Sequence, residues 1–216
     1  MLIDKDCYGT IAIAWLIAIA LIAIVLWLVK SPYSYILTAI LVCFMGFVTW
    51  FHRVPDRPRN TGDGVVTSVA DGKVVIIDTV YEHEYLHREC IQVSVYMNSF
   101  DVHANFWPMT GEVSYYKYHP GRYLLAFLPK SSEKNEHSST AIRNGHGEIL
   151  MKQIAGTFAR RIVCYSEEGL PTECGKQCGI IKFGSRIDLF LPLDSDIKVK
   201  KGDLTKACET VIAELK

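Results

Sequence analysis

Neither sign of charge predominates in this sequence. Its 23 basic residues match 23 acidic ones, so the formal net charge is zero. A balanced chain projects no overall field toward a polyanion, and no nucleic-acid partner is expected. Internal repeats and low-complexity tracts are lacking, which sets aside repeat architectures. The seven cysteines, at positions 7, 43, 90, 164, 174, 178 and 208, are odd in number and share no repeated pair spacing. That pattern outlines no disulfide framework and suits reduced thiols in a cytosol-facing protein. Cys174-x3-Cys178 has the form of half a metal site, yet no second Cys/His pair with ligand spacing lies nearby. His83-x3-His87 would converge only on a helix face, so no metal is assigned.

What is abundant is apolar sequence at the N-terminus. Residues 11–29 form an uncharged, mostly aliphatic run that, as a helix, spans roughly 28 Å, about one hydrocarbon core. Lys30-Ser31-Pro32 interrupts it, and a second run follows over 33–51. Asp4 and Asp6 near the start, and the want of a small-residue cleavage site, argue against a signal peptide. Arg53, Arg57 and Arg59 follow the second run, whereas the intervening loop has only Lys30. The positive-inside rule then places the remainder in the cytoplasm, with the N-terminus on the same side. A hairpin dipping into one leaflet would have nearly the same sequence.

Past Asn60 the pattern becomes short β-branched and aromatic runs broken by turn residues. Strands are expected near 65–69, 74–77, 91–97, 112–118, 148–154, 160–165, 186–191 and 210–215. Asp71-Gly72 would close a hairpin between the first two. A short helix is expected at 123–128 and a polar loop over 131–139. The fold class is therefore mostly β, a β-sandwich or flattened barrel with short helices, preceded by an apolar N-terminal helical hairpin. The division is 1–59 for the anchor and 60–216 for the second domain.

One dipeptide carries unusual chemistry. In Lys182-Phe183-Gly184-Ser185-Arg186-Ile187-Asp188, a serine follows glycine between strand-like residues. Ser185 Oγ could attack the Gly184 carbonyl at a turn that glycine tolerates, converting peptide to ester before chain scission. A lone Gly-Ser pair is most often an ordinary turn. Four further segments accompany it: Ala70-Asp71-Gly72-Lys73, Asp101-Val102-His103-Ala104-Asn105, Asn135-Glu136, and Gln153-Ile154-Ala155-Gly156 followed by Ala159-Arg160-Arg161-Ile162-Val163.

In that order and spacing, the set resembles the short bacterial and archaeal branch of the phosphatidylserine decarboxylase proenzymes, from about Phe51 to Lys216. The resemblance implies self-cleavage at Gly184-Ser185 into chains 1–184 and 185–216. It implies a pyruvoyl group made from Ser185, which serves as the cofactor and takes the serine amine of the lipid as a Schiff base. Asp71 matches the family aspartate that assists cleavage, and His103 the histidine five residues before a proline, here Pro108. A second family histidine, two residues before that proline, is replaced by Phe106, so the long-form triad does not carry over whole. Arg186 also departs from the small residue of long forms. Arg160 and Arg161 suit a lipid phosphate. The implied partners are phosphatidylserine and the two cleaved chains themselves, at the cytoplasmic face of the cell membrane.

Two other classes compete. A membrane-tethered lipoyl- or biotinyl-like carrier would display a lysine at a hairpin tip, and Asp71-Gly72-Lys73 or Met151-Lys152 could imitate one. A serine hydrolase is weaker, since no Gly-x-Ser-x-Gly elbow surrounds Ser185.

Overall fold

A computed structural model describes residues 2–29, 31–122, 135–156, 162–181 and 185–216. The chain divides into two compact units, Met1–Asp56 and Arg57–Lys216.

The first unit is a helical hairpin. Strand β1 (Leu2–Ile3) leads through a 3-10 turn into α1 (Tyr8–Leu28), and α2 (Tyr33–Phe51) runs back to β2 (Arg53–Val54). Strands β1 and β2 pair antiparallel, so the N-terminus and the exit of α2 meet at one end of the hairpin. Trp15 Nε1 donates to Thr49 Oγ1 at 3.1 Å between the helices. Only Ala18 of α1 is buried, and both helices are long and apolar enough to cross a membrane. Apolar side chains all around a helix suit lipid better than water.

The second unit is built of strands. They are β3 (Val65–Thr67), β4 (Gly72–Glu82), β5 (Arg88–Met97), β6 (Ala104–Phe106), β7 (Gly111–His119), β8 (His137–Asn144) and β9 (Gly147–Ala155). There follow β10 (Ile162–Cys164), β11 (Pro171–Thr172), β12 (Gln177–Ile181), β13 (Ser185–Leu191), β14 (Asp196–Ile197), β15 (Leu204–Thr205) and β16 (Val211–Glu214). An antiparallel sheet of order β11-β7-β8-β9-β13-β5-β4-β15 is flanked by two small sheets, β10-β12-β6 and β14-β16-β3. The mostly-β expectation with an apolar helical pair in front is met.

Alternation builds the core. Val93, Val95 and Met97 of β5, Ile187, Leu189 and Leu191 of β13, and Met151 and Ala155 of β9 recur at every second residue and enter one buried cluster. The large sheet is curled. Glu84, in the turn after β4, reaches Lys152 of β9, Ser139 of β8 and His119 at the end of β7. A flat sheet would hold these strands some 15 to 25 Å from β4, at about 4.8 Å per strand.

Two expectations fail locally. Asp71-Gly72 does not close a hairpin, because β3 pairs with β16 and β4 with β5 and β15. The backbone of the segment before the turn bonds elsewhere: Ser68 N–H to Thr210 O and Phe106 N–H to Val69 O. Gly72 is instead required by close approach, since a Cβ there would lie 2.3 Å from Tyr96 O. Residues 137–139, expected in a polar loop, begin the buried strand β8. The expected helix at 123–128 lies outside the described residues.

Candidate active site

Three strand ends meet at Ser185. It is the first residue of β13, directly opposite Met97, the last of β5, and Ala155, the last of β9. Position 185 falls on the same face as Ile187 and Leu189, so the hydroxyl points into the core side of the sheet. Ser185 is fully buried, and its Oγ has no hydrogen-bond partner among the described residues. Leaving a buried hydroxyl without a partner costs about 1–3 kcal/mol. Gly184, Arg160 and Arg161, the other expected members, lie outside the described residues.

The Asp101–Asn105 segment packs against this point from the neighbouring small sheet. Asn98 Oδ1 accepts from Phe100 N–H, and Asp101 Oδ2 accepts from Asn98 N–H, both at 2.8 Å. That turn directs Asp101 O toward His103, whose Nδ1–H donates to it at 3.0 Å. A carbonyl can only accept, so the bond fixes the tautomer with the Nδ1 proton. His103 is buried, and its own carbonyl accepts from Ile181 N–H at 3.2 Å. Ile181 ends β12, four residues before Ser185, which ties His103 to the strand that feeds the Gly-Ser pair. Phe106, at the position of the family's second histidine, is buried in β6 opposite Gln177.

Asn105 is held by a polar relay. Ser138 Oγ donates to Gln153 Oε1 and Gln153 Nε2 to Asn105 Oδ1, each at 2.8 Å. All three side chains are buried. Asn135 Nδ2 donates to Ala155 O at 2.7 Å, and Ala155 N–H donates to Glu136 O at 2.9 Å. The Asn135-Glu136 pair therefore fastens the end of β9 that flanks Ser185.

Asp71 sits at the same end of the sheet but does not touch Ser185 through any bond among the described residues. Gly72 and Lys73 begin β4, Lys73 lies opposite Tyr96, and β5 separates β4 from β13, so the two backbones are about 10 Å apart. The Asp71 carboxylate is gripped by Arg57 through Nη1, through Nη2 at 2.7 Å, and by Ala207 N–H at 3.0 Å. The hydrogen bond to Asp71 pushes the Arg57 pKa above its ordinary value against the opposing effect of burial. Arg57, expected only as a flanking positive charge, is thus the counter-ion of a site candidate.

Arg186 is accommodated by Asp188, two residues on along the same face. Nη2 donates to Oδ2 at 2.9 Å and Nε approaches Oδ1 at 2.8 Å, with both side chains fully buried. The lysines that could imitate a carrier's tip are not at one. Lys73 lies within the β4 ladder, and Lys152 in β9 pairs with Glu82 at 3.2 Å and Glu84 at 2.7 Å.

Sequence reasoning missed the cleft of about 460 Å³ on the opposite face of the sheet, lined in part by Glu82, Glu84, His119, His137 and Lys152. Burial alone would raise the Glu84 carboxyl. Lys152 first, by hydrogen bond and charge, then His119 and Ser139, hold it down at about 2. Glu84, His119 and His137 present ligand atoms within 4.8 Å of one another, but the Lys152 ammonium already rests on that carboxylate. Their wide spacing in sequence gives no signal, because only the curl of the sheet unites them.

The family profile of phosphatidylserine decarboxylase matches residues 44–213. A phosphatidylserine decarboxylase proenzyme of Amoebophilus asiaticus is 45% identical over 170 residues, covering 78% of this chain and 76% of that protein. Proteins of the same name from Phocaeicola vulgatus and Porphyromonas gingivalis are 39% and 40% identical, covering 99% and 100% of this chain and 95% and 99% of their own lengths. With a family profile matching most of its length and relatives matching along its whole length, the chain belongs to the phosphatidylserine decarboxylase family.

Proposed function

We propose that this chain is a membrane-anchored, self-processing enzyme that converts phosphatidylserine to phosphatidylethanolamine and CO2. The observation that carries the reading is the convergence of separated motif segments on one buried, unpartnered hydroxyl, Ser185 Oγ. The name proenzyme borne by the relatives supports processing. The two apolar helices support attachment to a membrane, with the strand-rich unit at its cytoplasmic face.

Processing starts when Ser185 Oγ attacks the carbonyl carbon of Gly184. The C–O bond forms as the hydroxyl proton leaves to a base, and the peptide C–N bond breaks as its nitrogen gains a proton. Peptide has then become ester. Loss of the Ser185 α-proton expels the Gly184 carboxylate, freeing residues 1–184 and leaving dehydroalanine at 185. Water replaces the nitrogen with oxygen and ammonia departs, giving the pyruvoyl end of residues 185–216. A buried hydroxyl at the start of a strand fits this conversion, because no hydrogen bond among the described residues depends on keeping that oxygen. The pyruvoyl group supplies an electron sink for the decarboxylation.

The chain's side chains do the rest. His103, with Nδ1–H committed to Asp101 O, exchanges a proton at Nε2 and delivers it to the carbon that loses CO2. Asp71 assists the cleavage from its fork with Arg57. Arg160 and Arg161, in the segment following β9, bind the lipid phosphate. The cleaved chains stay together as a heterodimer, because β13 is hydrogen-bonded between β5 and β9 and β16 pairs with β3.

The test is the Ser185→Ala protein in vesicles containing phosphatidylserine. It is expected as one uncut chain that forms no phosphatidylethanolamine while wild type does. Product from the uncut variant would sink the mechanism.

A further inference from the structure

Among the Ser185 neighbours, Asn105 has a donor without a proper acceptor. Its side chain is fully buried, and Oδ1 is committed to Gln153 Nε2 at 2.8 Å. The Nδ2 amide faces only Met97 Sδ, at 3.9 Å, among the described residues. A thioether accepts weakly and never donates, so nitrogen must be the atom on that side. The Gln153–Ser138 relay holds the same orientation from the other end. Met97 is the residue directly opposite Ser185, and Gln153 lies two residues before Ala155, the other residue opposite Ser185. Met97 therefore links the under-bonded Asn105 donor to the strand position of the orphan Ser185 hydroxyl, at one end of the core face and with no hydrogen bond between the two groups.

A buried donor held near a reacting group without a full acceptor is costly at rest, and the cost is recovered if an acceptor forms within its reach during the reaction. The self-cleavage chemistry creates one. When Ser185 Oγ bonds to the Gly184 carbonyl carbon, the π electrons of that carbonyl move onto its oxygen, which becomes an oxyanion two bonds from Oγ. The oxyanion therefore arises at the start of β13, the strand end that Asn105 approaches through Met97. We propose that Asn105 Nδ2 is the oxyanion donor of the self-cleavage step, with Gln153 and Ser138 as the residues that aim it. The inference rests on the self-processing reading and adds the group that stabilises its first intermediate. When the C–N bond breaks, the oxyanion electrons return to re-form the carbonyl of the ester, and the Asn105 hydrogen bond weakens again. Preorganised donors of this type typically contribute about 10²–10³ in rate.

The experiment follows conversion of the full-length chain, expressed without a tag and held in detergent, into 1–184 and 185–216 by intact mass. Samples are split with and without hydroxylamine, which cuts an accumulated ester but not a peptide. Asn105→Ala and Asn105→Asp should each slow conversion about 100-fold or more, leaving uncut chain that hydroxylamine does not cut. Asn105→His, which keeps an N–H donor, should restore part of the rate. Gln153→Glu puts an acceptor against Asn105 Oδ1, so it should turn the amide and slow cleavage even if Asn105→Ala fails to fold. Wild-type rates in Asn105→Asp and Gln153→Glu would overturn the assignment. So would accumulation of hydroxylamine-sensitive ester in them, since the block would then follow the acyl shift. A wild-type chain that never cuts would instead remove the self-processing reading beneath it.

Discussion

Ser185 is a residue whose folding interest and chemical interest conflict. Its buried hydroxyl lacks a partner among the described residues, and methyl in its place would relieve that deficit at almost unchanged volume. Ser185→Ala is therefore expected to melt at or above the temperature of an uncut wild-type precursor, although it does not process. A thermal melt several degrees lower would mean that Oγ has a structural bond and is not held for reaction. His103 and Asp71 separate by step. His103→Ala should cut normally yet lose at least about 100-fold in turnover, as expected for a lost general acid. Asp71→Asn should slow cutting, and the chains that are cut should turn over normally. Both proteins are read by intact mass and by phosphatidylethanolamine formed per cut chain; the reverse pattern would exchange the two roles. Ser185, Asp71 and His103 were legible as candidates in sequence because each stands in a motif. The part played by Asn105 was not, although its motif was. Its orientation comes from Gln153, 48 residues further on, and no local pattern encodes that contact.

At the scale of elements, the curled sheet is fastened where the β4–β5 turn meets β7 and β8. Glu84 is held at about 2 against an ordinary 4.5, so its contribution to stability is complete above 4.5 and disappears as pH falls toward 2. The buried His137 imidazole is lowered from its ordinary 6.5, chiefly by burial, so the unfolded chain takes up its proton first and stability begins to fall below 6.5. The melting temperature should thus decline in two stages on acidification. Glu84→Gln should flatten the lower stage and His137→Gln the upper; unchanged profiles would mean that other groups govern acid unfolding. Strand β13 offers another check. Asp188→Ala leaves the fully buried Arg186 without this carboxylate and should cost about 3–5 kcal/mol in denaturant unfolding, whereas an effect below 1 kcal/mol would show that the pair is dispensable. Alternation revealed β5 and β13, because Val93, Val95, Ile187 and Leu189 follow the period of two. It could not reveal β8, whose His137-Ser138-Ser139-Thr140 start is polar yet buried through bonds to Asn135, Gln153, Glu84 and Ser166. Nor could it show that β3 and β4 part company, since a turn dipeptide says nothing about which strands its flanks will join.

For the whole molecule, the account is of one chain that becomes two without coming apart. In the proposed account the apolar helix pair, long enough to cross a membrane, would anchor the chain, and the segment after Ser185 would stay in place as a central strand, hydrogen-bonded to β5 and β9. The helix pair and the β class were plain from composition and periodicity, whereas the meeting of Ser185 with the ends of β5 and β9 depends on strand order. The most direct test of that account is the intact mass of the purified wild-type protein under denaturing conditions. Two chains ending at Gly184 and starting at residue 185, the second carrying a pyruvoyl end in place of serine, are the predicted result. A single chain of 24.4 kDa that stays whole on prolonged incubation under folding conditions would contradict it.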